Sequence, residues 1–241
     1  MAAVKVSRIY RSPAGESRGA PLYVVSKQDD GRWLLTACQT RVSSPTGPSR
    51  RWEHRPMRYR YATEADAPAM AALFAANHHD ALTPEQRSRQ GFVQGAFGVD
   101  ALRAMARGGE LLVADDGDGA VVGLLALSVA TDLSAPPAAV RGLLAAQDEL
   151  RWQGRPLREV RWLLYGPVVV DAAHRGRGVA RGLFTMAVAA AAERAEAVVA
   201  FIEADNVPSW KVHVDGFGMT PLGDYVAQGR TYSAVATAAG V

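Results

Sequence analysis

A single cysteine, Cys38, stands in a chain of 241 residues. One thiol cannot close an internal disulfide, and a thiolate metal cluster is excluded with it. Aromatic residues are sparse at 7%, so alanine, valine and leucine must supply most of the packing. No run approaches the ~18–20 apolar residues of a membrane-crossing helix. The longest, 183–192, is alanine-rich and flanked by Arg181 and Glu193. The start, Met1 to Tyr10, carries Lys5 and Arg8 and has no apolar signal core. These absences predict a soluble, cytoplasmic protein with no membrane partner. The remaining balance, 49% hydrophobic and 21% charged, is that of a globular chain with one sizeable core.

Charge is unevenly spread. The net is +3, yet residues 1–60 carry 12 Lys/Arg against 4 Asp/Glu, while the remainder carries 15 against 20. A basic arm for nucleic acid and a solvated extension both fit this asymmetry. The basic residues are scattered rather than clustered, which favours the extension. A nucleic-acid partner is the lesser reading, and its signature would be affinity falling steeply with salt.

Residues 1–56 read as a basic, poorly ordered N-terminal extension, or as an over-extended reading frame with Met57 as the true start. Residues 42–51, rich in Ser, Pro, Gly and Arg, are a linker by composition. Before them, Leu22-Tyr23-Val24-Val25 and Trp33-Leu34-Leu35 flank Asp29-Asp30-Gly31, a hairpin signal. Two strands alone are marginal, so this hairpin would have to dock on a larger body.

From Met57 the pattern is regular. Arg58 to Tyr61 alternates as a short strand. Thr63, with Asp66 three residues on, is a helix N-cap, and Met70, Leu73, Phe74 and Asn77 follow at helical spacing. Residues 84–107 read as helices broken near Gly95 and Gly98. Leu111 to Ala114 and Ala120 to Val129 form a hairpin around an Asp/Gly turn. A helix over 137–151, or an insertion with helical character, precedes a strand, Val160 to Val170, interrupted by Gly166-Pro167, where a bulge or a lost pairing partner is expected. A long helix over 177–196 places Val179, Leu183, Met186 and Ala190 on one face. A strand at 198–202, a short helix at 206–214 and a final hairpin, 216–225 with 230–235, close the chain. Interleaved strands and helices predict a mixed α/β sheet with helices on its faces.

The most informative segment is Val168-Val169-Val170-Asp171-Ala172-Ala173-His174-Arg175-Gly176-Arg177-Gly178-Val179-Ala180. An apolar strand enters a glycine-bearing turn that opens the longest apolar helix. The first amides of a helix lack internal partners, and its dipole adds about half a positive charge there. Such a turn suits a phosphate or pyrophosphate, and Arg175, Arg177 and Arg181 add cationic reach. A P-loop would need Lys and then Ser or Thr near the second glycine, where Val179 and Ala180 stand. A dinucleotide fingerprint would need a third glycine where Arg181 stands.

Arg175-Gly176-Arg177-Gly178-Val179-Ala180 resembles the R/Q-x-x-G-x-G/A signature of the GCN5-related N-acetyltransferases (GNAT). Asn206 to His213 resembles the family's N-x-x-S/A-x-x-x-Y/H segment. Gly218-Met219 stands where Gly-Phe usually ends it, with one extra residue between. Thr63-Glu64-Ala65-Asp66 and Gln90-Gly91-Phe92-Val93 resemble two earlier family segments, so the likeness covers about 57–238.

The resemblance implies a GNAT domain over 57–241. Its fold would be a mostly antiparallel twisted sheet of six to seven strands, with a bulged, splayed central strand and helices on both faces. It implies acetyl-CoA as co-substrate and a primary amine, on a small molecule or a peptide, as acceptor. Arg175, Gly176, Arg177, Gly178, Val179 and Ala180 would hold the pyrophosphate, Val168 and Val170 the pantetheine, and Asn206 and Ser209 would touch coenzyme or cap their helix.

Acetyl transfer needs a base for the amine and a donor for the departing thiolate. His213 occupies the position of the family's acid tyrosine and is the first candidate, with Tyr225 and Tyr165 as alternative donors. Glu203, at the end of a strand beside the splay, is the candidate base. Asp171 and His174 read as turn residues. Asn77-His78-His79-Asp80 reads as a loop lining the acceptor site rather than a metal site, with Phe92, Phe97, Trp152 and Trp162 as further lining or core. A non-catalytic coenzyme-binding module on the same fold is the rival reading. An exposed final strand could pair with a second copy.

Overall fold

The computed structural model describes residues 22–27, 33–38, 56–95 and 97–240. The expected linker at 42–51, and whether residues 1–56 as a whole are ordered, lie outside the described residues. The expected hairpin lies inside them. β1 (Leu22–Lys27) and β2 (Trp33–Cys38) pair antiparallel. β2 then adds to β3 (Arg58–Tyr61) through Leu35 opposite Tyr59 and Thr36 opposite Arg58, so the hairpin is docked on the main sheet.

The other strands are β4 (Leu111–Asp115), β5 (Val121–Ser128), the two-residue β6 (Arg151–Trp152) and β7 (Arg155–Pro156), β8 (Trp162–Val170), β9 (Ala197–Glu203), β10 (Thr220–Ala227) and β11 (Arg230–Ala238). One nine-stranded sheet runs β1-β2-β3-β4-β5-β8-β9-β11-β10, and β6 pairs only with β7. The seven strands from β3 onward match the expected count, and the hairpin extends them by two. Every pairing in the large sheet is antiparallel except β8 with β9, which a helical crossover joins.

Alternation along the strands assigns the faces. Leu112 and Ala114 of β4, with Leu125 and Leu127 of β5, point toward α5 (Val179–Ala191). Leu111 and Val113, with Leu124 and Ala126, point to the other face, under α1 (Ala67–Ala76) and α3 (Val99–Arg107). α4 (Ala138–Ala145) covers a third cluster around Leu164, Val199 and Tyr225. All five residues of β4 are buried, because helices cover both of its faces. The α5 stripe foreseen from spacing, Val179, Leu183, Met186 and Ala190, is buried throughout, each large side chain contributing about 1.5–3 kcal/mol.

Several helices begin or end differently from their sequence reading: the one expected over 137–151 stops at Ala145, with 151–152 taken into β6, and the one expected over 177–196 ends at Ala191. α5 starts at Val179 because Gly178, at φ 82, is left-handed and serves as its N-cap. α2 (Pro84–Gln90) stops at Gly91, where φ is 73, and α3 does not start until after Gly98. The break there is wider than the two glycines suggested. α2 is closed at its start by a reciprocal pair: Gln86 N–H donates to Thr83 Oγ1 at 3.2 Å and Thr83 N–H to Gln86 Oε1 at 2.8 Å.

The entry to α1 is built on Asp66. The Thr63 N–H and hydroxyl donate to its Oδ2 at 2.7 and 2.8 Å, and Arg60 forks onto both oxygens at 2.7 and 2.8 Å. Burial works to raise the carboxyl's pKa, but the Arg60 and Thr63 hydrogen bonds prevail and hold it at about 2. Met70, Leu73, Phe74 and Asn77 are all buried, and the Asn77 amide donates to the Leu73 carbonyl at 2.8 Å.

Candidate active site

β8 and β9 pair only at Trp162–Ala197, Leu163–Val198 and Leu164–Val199. Beyond Leu164 both strands run on, to Val170 and Glu203, unpaired with each other. The cause is local. The β5 register puts Leu125 opposite Val168 and Leu127 opposite Tyr165, so Gly166 and Pro167 together face Ala126. Two residues against one is a bulge, which bends β8 away, and Pro167 has no N–H to offer a neighbour. The splay anticipated from Gly166-Pro167 is present.

The head of α5 stands at this opening. Gly176 and Gly178 hold φ 71 and 82, values that side chains with a Cβ seldom adopt. The first helical bond runs from Gly182 N–H to the Gly178 carbonyl at 3.0 Å, so the amides of Val179, Ala180 and Arg181 precede the ladder. They face a cleft of about 570 Å³ bounded by β8, the head of α5, the helix after Asn206 and the segment 89–93. Arg89, Arg175, Arg181 and Lys211 stand on its walls, and no Asp or Glu lines it among the described residues. Every residue assigned to the coenzyme from the sequence lines this cleft except Arg177, which is exposed. Asp171 and His174 form the turn expected of them: Asp171 Oδ1 accepts from Ala173 N–H and contacts His174 Nδ1, both at 2.9 Å.

Arg175 lines the cleft but spends its donors on protein. Nε donates to the Val170 carbonyl at 3.3 Å, and the two terminal nitrogens donate to Gln90 Oε1 and Asn77 Oδ1. Burial lowers its pKa, with Asp171 opposing.

α6 (Val207–Trp210) is capped by Asn206, whose Oδ1 accepts from Ser209 N–H at 3.4 Å. The helix widens into a π turn over Lys211–Gly216. A π turn accommodates one additional residue, which accounts for the extra position before Gly218-Met219. His213 lies in that turn, 8% exposed, and lines the cleft. Its Nδ1 is 2.8 Å from the Ser209 carbonyl. A carbonyl only accepts, so Nδ1 carries the hydrogen and Nε2 keeps a lone pair. Burial lowers the His213 pKa, and the Ser209 bond works the other way. The ring meets Tyr165 and Phe217 edge-on, at 5.5 and 5.4 Å between centroids.

Glu203 lies outside the cleft lining. Its carboxylate takes Arg230 at 2.8 Å on one oxygen and the Gln94 amide on the other, and Gln94 in turn accepts from Tyr232 Oη at 3.1 Å. Tyr165 and Tyr225 are buried, and neither hydroxyl has a hydrogen-bond partner among the described residues. Burial raises both pKa values. Tyr165 is in contact with His213, whereas Tyr225 belongs to the cluster under α4, on the opposite face from α5. Of the four aromatic residues considered for the acceptor site, Phe92 lines the cleft and meets His79 edge-on at 5.0 Å. Phe97 packs edge-on against Phe74, and Trp152 and Trp162 join the cluster under α4. Sequence reasoning missed the joint hold of Asn77 and Gln90 on Arg175. The one signal was an asparagine in the buried stripe of α1.

The parallel pair that opens beyond Leu164, with a helix head and four cations beside it, defines an α/β protein with a cationic cleft between two splayed strands. The acetyltransferase (GNAT) family profile matches residues 78–219, and the chain belongs to that family. It is an acyltransferase that uses acetyl-CoA as co-substrate to acetylate an amine. Among solved structures, the ribosomal-protein-alanine N-acetyltransferase of Brucella melitensis is 22% identical, with a TM-score of 0.50 over 75% of this chain and 98% of that one. Arabidopsis thaliana NAA60, solved with a bisubstrate analogue, is 14% identical, with a TM-score of 0.50 over 76% of this chain and 97% of that one. At these identities the likeness is one of fold. A search of curated proteins gave no significant match. No helix among the described residues is long and apolar enough to cross a membrane.

Proposed function

We propose that the cleft holds acetyl-CoA with its pyrophosphate on the amides of the Gly176–Ala180 turn and its pantetheine along the open edge of β8 at Val168 and Val170. The thioester then lies by His213, and residues 57–241 form the domain that carries the chemistry. The observation that supports this most is the loss of pairing between β8 and β9 beyond Leu164, beside the cationic, carboxylate-free head of α5.

Free alkyl amines hold their proton to about pH 10, so the attacking amine must lose one. With that first proton released to solvent, the neutral nitrogen bonds the thioester carbon, the C–S bond breaks, and the second proton that the nitrogen gives up must reach the sulfur. His213, neutral and with Nε2 open to accept, takes that proton and returns it to the thiolate. Tyr165, a neutral phenol edge-on to the imidazole, has a buried hydroxyl and does not line the cleft, so it packs the His213 ring without reaching the sulfur. Glu203, engaged on both oxygens, holds Gln94 and Arg230 in place instead of serving as the base. That engagement also favours the rival non-catalytic module, for which coenzyme binding without turnover on any amine would be the sign. The acceptor is a primary amine of a small molecule or peptide. One thiol and this co-substrate suit a cytoplasmic protein; the final strand, β11, is paired on both sides by β9 and β10 and is not exposed as expected, so a second copy would pair along the edge strand β10 instead.

Calorimetric titration of acetyl-CoA into the full-length protein tests the site. Micromolar affinity, about −8 kcal/mol, is expected. Gly178→Glu should abolish it, since a bulky anion would occupy a left-handed position at the phosphate turn. No binding by folded wild type, or undiminished binding by the variant, would overturn the placement.

A further inference from the structure

α2 contributes no buried residue to the protein. A seven-residue helix of this kind is marginal by itself, so its position depends on what grips its ends. Its start is closed by the Thr83–Gln86 pair, and at its middle Arg87 donates to the carbonyls of His79 and Leu82 at 3.1 and 2.8 Å, within its own stretch of chain. At its end the grips come from the coenzyme side. Arg175 reaches Gln90, Asn77 and the Val170 carbonyl at once. Asn206 Nδ2 donates to the Phe92 carbonyl at 3.0 Å. Further on, Gln94 bridges to Glu203 and Tyr232 at the ends of β9 and β11.

One guanidinium thus joins the end of α1, the end of α2 and the exit of β8, immediately before the phosphate turn. Its protein hydrogen-bond partners are all neutral acceptors, and it lines the cleft. An anion on the turn attracts this cation and fixes the direction of its planar fork. The fork is what holds Gln90 and Asn77.

Building on the acetyl-CoA reading of the cleft, we propose that Arg175 is a positioning residue through which coenzyme on the α5 turn orders α2 and the segment 90–94, the wall that an incoming amine meets. A ligand that favours one arrangement of a two-state element shifts its population by the difference in affinity. A helix with no buried side chain is the element most open to such a shift. The amine's path is complete only once the coenzyme is bound.

Hydrogen exchange of the full-length protein, with and without saturating acetyl-CoA, tests this. Amides at 176–181 report the coenzyme itself. Amides at 85–88 of α2 line no part of the cleft, so they report the coupling. In the wild type both sets should slow, α2 by about tenfold, within the usual range of coupling between sites. In Asn77→Ala/Gln90→Ala the turn should still slow and α2 should not. Arg175→Lys keeps the charge but loses the fork; whatever its cost to coenzyme affinity, at a concentration that saturates this variant α2 should again fail to slow. If the wild type shows no slowing at the turn, the coenzyme reading falls and the proposal with it. If the turn slows but α2 does not, or if α2 still slows in both variants, the coupling alone is refuted.

Discussion

Gly182 sets how closely α5 lies on the sheet, and replacing it with alanine opposes two effects of known size. A Cβ at this position would stand 2.0 Å from Tyr59 Cζ and 2.4 Å from both Cε1 and the hydroxyl oxygen. Carbon atoms normally pack at about 3.5–4.0 Å, so the ring or the helix would have to move by roughly 1.5 Å. Tyr59 is 2% exposed and sits on a strand paired on both sides, with β2 and with β4, so neither partner yields easily. Alanine gains about 1 kcal/mol over glycine in a helix interior. Overpacking a core costs about 1–3 kcal/mol and sometimes more, and a displacement this large belongs at the upper end. The net is a destabilisation of about 2 kcal/mol, or a fall in Tm of about 4–8 °C for a chain of this size. Thermal unfolding followed by near-UV circular dichroism reads it. A raised Tm would mean that helix propensity wins and that the approach of α5 to Tyr59 is not a constraint. A double-mutant cycle isolates the cause. In a Tyr59→Ala background Gly182→Ala should lose its penalty, and an undiminished penalty there would refute the argument from Tyr59.

His213→Gln should slow turnover by about 10²–10⁴-fold, the usual worth of a positioned acid or base, while acetyl-CoA affinity stays within a few-fold; an unchanged rate would remove its role as proton carrier. Burial lowers the His213 pKa and on the proposed mechanism the neutral imidazole is the active form, so the rate divided by the fraction of deprotonated amine should be flat above pH 6.5 and fall only as pH drops through the lowered value; a decline of that corrected rate already under way at pH 7 contradicts this. The same shift stabilises the fold fully above the unfolded pKa of ~6.5, and that contribution is lost as pH falls toward the folded value. For Asp66, lowered from 3.8 to about 2, the contribution is present above 3.8 and is lost as pH falls through about 2. Asp66→Asn should therefore flatten the urea midpoint between pH 5 and pH 2 relative to wild type, and parallel curves for the two proteins would show that the Arg60 pair is worth little.

What could be read from the sequence was whatever depends on neighbours along the chain. The α5 stripe follows from a period near 3.6, the β4–β5 hairpin from Asp and Gly between apolar runs, and the splay from a proline that cannot donate within a strand. The phosphate turn is local too, since Gly176 and Gly178 are needed there for their backbone angles. Roles that depend on what crosses from elsewhere were less legible. Glu203 looks like a free carboxylate at a strand end until β11 brings Arg230 and the loop after α2 brings Gln94, from 27 and 109 residues away. Arg175 reads as a cation for the phosphate turn, but its hold on Asn77 and Gln90, 98 and 85 residues away, exists only once α1 and α2 bring them to it. His213 sits between these cases. Its place four residues after Ser209 allowed its selection, but its tautomer is set by a carbonyl that only the π turn puts in reach. Motifs of backbone origin thus transfer well from sequence, whereas the protonation and pairing of a side chain belong to the assembled fold. On the proposed mechanism the chemistry therefore rests first on the Ser209 carbonyl, whose hold on Nδ1 leaves Nε2 of His213 as the ring nitrogen that takes the amine's proton.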